Sequence, residues 1–349
     1  MLRLTPQGLY CEPGGFHIDP WAPVPRAVVT HAHGDHLTWG CDAYLVSDTG
    51  AGVTRARLGR WADGVEGVAY GESRLINGVR VSLHPAGHIM GSAQIRVEHK
   101  GEICVVSGDY KTDPDPTCTP WEPVRCHTFI TESTFGLPIY RWPSPATVFA
   151  DLNAWWQRNA AEGLTTFLYA YALGKAQRLL AGLDPSIGPI LLHGAVDAMT
   201  ACYRAGGVSL PATSHATAGR RGESAGAVVI APPSTADTAW MRRFGPSAAA
   251  FASGWMQVRG ARRRRGLAKG FVLSDHVDWP QLLGAIEATG AESVWVTHGF
   301  TDVVVRSLTE RGLDARSIPT RWTGDDAGDA EPGADADASP ESTEAGTPA

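Results

Sequence analysis

His31-Ala32-His33-Gly34-Asp35-His36 packs four potential metal ligands into six residues, directly after the apolar run Ala27-Val28-Val29-Thr30. Imidazole and carboxylate are the groups that a borderline cation such as Zn2+ binds. A β-branched run ending in such a cluster reads as a buried strand whose C-terminal end delivers ligands to a loop. The spacing lets His31 and His33 turn to one ion while Asp35 and His36 turn to a second. A polar loop enriched in His by chance is the alternative, and ligands elsewhere in the chain speak against it. His88 lies in Gly87-His88-Ile89-Met90-Gly91-Ser92, where small neighbours let the backbone come close to a metal. Asp109 follows the apolar run in Val105-Val106-Ser107-Gly108-Asp109 and has two oxygens with which to bridge two cations. His298 ends the run Val294-Trp295-Val296-Thr297-His298. The expected set is His31, His33 and His88 on one ion and Asp35, His36 and His298 on the other. Asp109 is shared, and each ion keeps room for a bridging water.

These residues must be held by strand ends. Residues 1–133 read mostly as strands and loops, with strands over 27–30, 43–47, 79–83, 93–98, 102–107 and 128–131. The pattern then changes. A helix over 145–162, with Ser144 as N-cap and Pro145 in its first turn, opens an alternation of strands and helices. Strands are expected at 165–170, 189–192 and 228–231, and helices at 175–182, near 197–204 and near 235–243. Such alternation implies a parallel α/β unit. A strand at 271–273, a helix at 279–289, a strand at 293–297 and a helix at 302–311 close the pattern.

The 349 residues allow two domains and a sizeable core. No run approaches the ~18 apolar residues of a membrane span. The start, Met1-Leu2-Arg3-Leu4-Thr5-Pro6, is too soon broken for a signal peptide, so a cytoplasmic location is expected. The six cysteines are scattered, with no Cys-x-x-Cys pair, which argues against a thiolate metal site or a disulfide framework. Eight of the 36 acidic residues lie beyond Arg321, where no Lys or Arg occurs. The overall charge of −6 therefore hides a body with 30 basic and 28 acidic residues, a net +2. The acidic, Ala/Gly/Pro-rich tail is expected to be disordered, either a solvated terminus or a mimic of a polyanion.

Taken together, the opening cluster, Gly87-His88, Gly108-Asp109 and Thr297-His298-Gly299 resemble the successive motifs of the metallo-β-lactamase fold. The resemblance implies an α/β protein, an αββα sandwich of two sheets with outer helices. Asp19, in Phe16-His17-Ile18-Asp19-Pro20, matches that family's early aspartate, which orients the ligand loop from behind; an ordinary turn carboxylate is the alternative. The long stretch between Asp109 and His298 resembles the inserted α/β domain of the β-CASP nuclease group. Glu132, in Thr131-Glu132-Ser133-Thr134, resembles the group's acidic motif, and His276, in Ser274-Asp275-His276-Val277-Asp278, its histidine motif. This implies a first part of the metallo-β-lactamase domain over 1–136, a β-CASP insertion over 137–269, the rest of the first domain over 270–322, and the tail over 323–349.

Further segments look like one bacterial branch, the exonucleases associated with ATP-dependent DNA ligases. They include Gly108-Asp109-Tyr110-Lys111, Tyr171-Ala172-Leu173-Gly174-Lys175-Ala176-Gln177 and Ser253-Gly254-Trp255-Met256. The resemblance implies a metal-dependent exonuclease acting on DNA ends, with an ATP-dependent DNA ligase as partner. An RNA-processing nuclease of the same group is the runner-up. A non-catalytic DNA-end-binding subunit and a small-molecule hydrolase are more distant.

The implied cofactor is a pair of Zn2+ ions, with Mn2+ as the alternative activator. Two ions about 3.5–4 Å apart activate water and neutralise charge on the phosphate. Asp35 and Asp109 would serve catalysis as well as metal binding. His276 would act near the scissile phosphate as hydrogen-bond donor or general acid, and Glu132 would fix it or a ligand from behind; purely structural roles are the alternatives. Lys175 and Arg178 begin a helix after Gly174 and read either as a phosphate site or as solvated charges. Arg259, Arg262, Arg263, Arg264 and Arg265 form the densest basic patch. They read as salt-dependent phosphate contacts at the mouth of the site or as a solvated loop. Trp255 and Trp279 could stack on a splayed base or be buried.

Overall fold

A computed structural model of the chain describes residues 1–217, 224–258 and 269–321. Arg259, Arg262, Arg263, Arg264, Arg265 and the acidic tail over 323–349 lie outside the described residues. Strands β1 (Leu2–Thr5) and β2 (Gly8–Cys11) form an antiparallel hairpin, and β3 (Phe16–Ile18) pairs antiparallel with β2. Strands β4 (Ala27–Val28), β5 (Tyr44–Ser47) and β6 (Val65–Val68) then add in parallel. Between β5 and β6 lies helix α1 (Asp48–Leu58), capped by the Ser47 hydroxyl, which accepts from the Gly50 amide. That helix adds to the expectation of mostly strands and loops in this region. Its sequence carries two glycines and two threonines, poor helix formers. A Cβ on Gly50 would stand 3.0 Å from the Gly91 carbonyl oxygen, so packing against the loop around Gly91 favours glycine there.

A second sheet begins with the antiparallel run β7 (Ser73–Ile76), β8 (Val79–Pro85), β9 (Ala93–His99) and β10 (Glu102–Val106), continued in parallel by β11 (Thr128–Ser133). The chain next builds a third, wholly parallel sheet. Its strands are β12 (Thr165–Tyr169), β13 (Ile190–Leu192), β14 (Ser214–His215), β15 (Val228–Ala231), β16 (Ser247–Ala252) and β17 (Lys269–Phe271). Their spatial order is β14-β13-β15-β12-β16-β17. Helices α2 (Pro145–Ala161), α3 (Lys175–Gly182), α4 (Gly194–Ala205) and the single turn α5 (Ala239–Arg242) alternate with these strands, as connections between parallel strands require. The chain then returns through α6 (Trp279–Thr289). Strands β18 (Ser293–Gly299) and β19 (Asp314–Ser317), joined by α7 (Thr301–Glu310), complete the second sheet beside β11.

The first two sheets face each other across a shared core. Leu9, Phe16, Ile18 and Val28 from one meet Val81, Leu83, Ile95 and Ile130 from the other. Helix α1 packs on the outer face of the first sheet through Ala51, Val53 and Leu58, together with Leu173 and Tyr203 of the third-sheet unit. Helices α6 and α7 cover the outer face of the second through Leu282, Ile286, Val304 and Leu308. The third sheet buries Trp156, Leu168, Leu179 and Ile230 against α2, α3 and α4. No helix among the described residues is long and apolar enough to cross a membrane.

Candidate metal centre and active site

Every chemistry-bearing residue of the first two sheets sits at one end of this pair of layers. Asp19 follows β3, the His31–His36 cluster follows β4, His88 follows β8, Asp109 follows β10, and Glu132 and His298 are the penultimate residues of β11 and β18. The Ala93 amide donates to the Thr30 carbonyl at 2.8 Å, tying the two sheets together there. The approach is close: a Cβ on Gly108 (φ +56°) would stand 2.6 Å from the Thr30 side chain, so the turn before Asp109 needs glycine.

Ligand atoms of His31, His33, His88 and Asp109 lie within 4.8 Å of one another, the set expected for the first ion. His31 Nε2 and His88 Nε2 each approach His33 Nδ1 at 3.1 Å and stand 3.5 and 3.8 Å from Asp109 Oδ2. A second group joins Asp35 and His36, with His31 again the third member. His36 Nε2 faces Asp35 Oδ2 at 3.6 Å and Asp109 Oδ1 at 3.5 Å, and is buried without a hydrogen-bond partner. His298 departs from the expected set. Its ring stacks on His36 with centroids 5.5 Å apart, but its Nε2 meets the Thr320 hydroxyl at 3.2 Å and it joins neither group. The β11–β18 register shifts at Glu132/Ser133, and His298 takes φ +53°, an uncommon backbone for a residue with a Cβ. Glu132, His276 and Asp109 form a further group of potential ligands.

The outer nitrogens of these imidazoles are held by oxygen acceptors, which fixes each tautomer so that the inner nitrogen can bind a cation. His36 Nδ1 donates to Asp19 Oδ2 at 2.7 Å, while the same carboxylate accepts from the Thr30 hydroxyl at 2.6 Å and the Thr30 amide at 2.8 Å. Asp19 thus stands where the ligand loop needs an anchor. His33 Nε2 donates to the Leu173 carbonyl at 3.1 Å, and His88 Nδ1 to the Asp275 carbonyl at 2.8 Å. His276 Nδ1 lies 2.9 Å from both oxygens of Glu132, whose Oε1 also accepts from the Tyr110 amide.

Burial, reinforced by neighbouring imidazoles, holds His31 and His88 well below the ordinary histidine pKa. Burial also lowers His33 and His298. At His36 burial works in the same direction, but Asp109, Asp35 and Asp19 outweigh it and hold the pKa well above the ordinary value. The His36 Nε2, buried without a hydrogen-bond partner, and the converging Asp35 and Asp109 carboxylates form a donor set that suits a divalent ion.

Lys175 and Arg178 do not stand as free phosphate ligands. Both side chains are buried, Lys175 on Asp275 Oδ2 at 3.0 Å and Arg178 on Asp275 Oδ1 and Asp115 Oδ2 at 3.1 Å. Charges taken out of water on this scale must be paired, and a sequence cannot show which partners fold against them. Trp255 is half-buried in an aromatic cluster with Phe135, Tyr140 and Phe300, and Trp279 packs into the core under α6. Both are packing residues rather than open stacking platforms. The cleft beside the centre is lined by His33, His88, Thr134, Tyr171 and His276, among others, and the ion-paired Lys175 also forms part of its wall. Thr134 and Tyr171 fall inside the quoted segments 131–134 and 171–177, where residue type alone assigns them no role.

No protein-family model matches the chain. It is 36% identical over 316 residues to a probable DNA ligase of Opitutus terrae, a match covering 89% of this chain and 30% of that protein. It is 28% identical over 186 residues to cleavage and polyadenylation specificity factor 73 of Drosophila melanogaster, covering 48% of this chain and 27% of the relative. Endoribonuclease YSH1 of Gibberella zeae is 27% identical over 191 residues, covering 48% and 22%. The chain thus spans less than a third of the length of these curated relatives. A crystal structure of a protein of unknown function from Enterococcus faecalis aligns with TM-score 0.52 and 11% identity over 78% of this chain and 74% of that one, a likeness of fold. By these similarities, which agree with its motifs and histidine cluster, the chain is a homologue of the β-CASP nucleases of the metallo-β-lactamase fold.

Proposed function

We propose that the chain is a metal-dependent phosphodiesterase that trims DNA ends as an exonuclease. In this reading residues 1–136 and 270–322 form a metallo-β-lactamase αββα sandwich, and 137–269 an inserted β-CASP domain. The observation that carries it is the convergence of His33, His88, Asp109 and His276 on one cleft, with His31 grouped with the first three and Glu132 holding His276. Two Zn2+ ions, or Mn2+ in their place, fit the donor set. When bound, divalent cations supply charge neutralisation for phosphate oxygens and a more acidic water.

The chain's own residues do the rest. Asp19 keeps the His36 proton on Nδ1, so Nε2 points inward. Glu132 holds the His276 proton on Nδ1 and stabilises the imidazolium, so that His276 delivers a proton from Nε2 to the leaving oxygen. Asp35 and Asp109 orient the attacking water. His298 packs on His36 and closes the rim with Thr320.

DNA as substrate, and a DNA ligase as partner, are supported by the similarity to a probable DNA ligase over 89% of this chain. The similarity to endoribonuclease YSH1 favours the second reading, an RNA-processing nuclease. Matched end-labelled DNA and RNA strands incubated with Zn2+ or Mn2+ separate the two. Mononucleotide release from DNA at a rate at least tenfold that from RNA is expected. The reverse preference overturns the choice of polymer.

A further inference from the structure

Five charged side chains are buried together beside the centre. Lys111 Nζ binds Asp115 Oδ2 at 2.6 Å, and Asp115 Oδ1 accepts from the Thr117 amide and hydroxyl. Arg178 joins Asp115 to Asp275, and Lys175 takes the second oxygen of Asp275. No side chain of the five is more than 5% exposed. Burial opposes ionisation of Asp275, but Lys175, Arg178 and Lys111 hold its carboxyl far below the usual range. Apolar side chains of similar volume would stabilise such a volume as well as ions do, so stability alone does not account for the cluster.

Its members are each one step from a histidine of the centre. Arg178 Nη1 also donates to the Ser274 carbonyl. The next carbonyl, Asp275, accepts from His88 Nδ1. Lys175 and Arg178 start α3 directly after Leu173 and Gly174, and the Leu173 carbonyl accepts from His33 Nε2. Lys111 stands two residues after Asp109, and its amide donates to the Ala86 carbonyl at the start of the His88 loop.

We propose that Lys111, Asp115, Arg178, Asp275 and Lys175 form a clamp that positions His33 and His88 through the Leu173 and Asp275 carbonyls. The third-sheet unit is then a working part of the metal centre rather than only a wall of the cleft. Arg178 is the central positioning residue because its planar guanidinium reaches two carboxylates and a carbonyl at once, which a lysine ammonium cannot. The clamp rests on the reading that the histidine cluster binds metal.

The test is Zn2+ affinity by competition with a chromophoric chelator, alongside the melting temperature of the chelator-treated protein. Outer partners of ligating histidines are worth about 10–100-fold in metal affinity. Arg178→Lys keeps the charge count, so its metal-free melting temperature should stay within a few degrees of wild type while its affinity falls at least tenfold. Asp197→Asn, at the exposed Asp197–His215 pair on α4, should leave affinity unchanged. A folded Arg178→Lys protein with wild-type affinity overturns the clamp, whatever its melting temperature. If wild type itself takes up no Zn2+, the metal-site reading fails instead. Hydrogen exchange on wild type needs no variant: Zn2+ should slow exchange of the amides over 174–178 and 274–276. Unchanged rates there, with metal bound, also overturn the clamp.

Discussion

Asp19→Asn tests how the ligand loop is set. Asn is isosteric and tolerates the φ of +43° that Asp19 adopts, so the backbone is not forced to move. The carboxylate accepts three bonds, from His36 Nδ1, the Thr30 hydroxyl and the Thr30 amide. An amide has one oxygen. In either orientation its NH2 faces a buried donor, or His36 must shift its proton to Nε2, the atom that faces Asp35 and Asp109. A buried donor facing a donor costs about 1–3 kcal/mol. Loss of an outer partner costs about 10–100-fold in metal affinity, or about 1.4–2.7 kcal/mol. The two penalties act on different states. With metal bound the tautomer must be right, and without it the clash can relax by proton shift. Chelator competition should therefore show Zn2+ affinity lower by about tenfold to a hundredfold, while the metal-free protein melts only a few degrees lower. An Asn variant that binds Zn2+ as wild type does would refute the assignment of Asp19 as the residue that fixes His36.

Glu132→Gln leaves the metal ligands in place but removes the carboxylate that holds His276 Nδ1. The maximal rate of phosphodiester hydrolysis should fall by about 10²–10⁴-fold with metal content unchanged, as read by turnover assay and metal analysis on the same sample; an unchanged rate excludes His276 as proton donor. The chelator-treated protein should be most stable near pH 6.5. Below that pH the unfolded chain protonates its histidines while His31, His33, His88 and His298, all lowered, stay neutral when folded, so stability falls with falling pH by at most about 1.4 kcal/mol per pH unit for each such group. Above it the folded state keeps the His36 proton that the unfolded chain has lost, so stability falls again until the raised His36 pKa is passed. Urea unfolding at pH 5.5, 6.5 and 8.5 checks this, and a steady rise to pH 8.5 contradicts it.

Legibility differed by the kind of interaction. Helices with strong local signals were readable to the residue. The α3 span 175–182 and the α6 span 279–289 emerge as expected, the latter because Asp278 and Gln281 cap each other and Gly290 ends it in the left-handed region. The short strands β1 and β2 and helix α1 were not read, because packing across the sheets rather than local pattern decides them. The first ligand group was legible because its members are of the right type and follow apolar runs. The place of His298 depends on a bulge and on Thr320, which no spacing reveals. The sequence offers a phosphate site or solvated charges for Lys175 and Arg178, and their burial in ion pairs is not legible because the partners, Asp115 and Asp275, lie about 60 and 100 residues away in the chain.

The central claim is that one end of the two facing sheets is a metal-dependent nuclease centre with Asp109 at its middle. The most direct measurement is mononucleotide release from end-labelled DNA by wild type, by chelator-treated wild type and by Asp109→Ala, with folding checked by circular dichroism. Release by wild type with added metal, none after chelation and none from Asp109→Ala are the predicted results. Undiminished release by the folded Asp109→Ala protein would contradict the account.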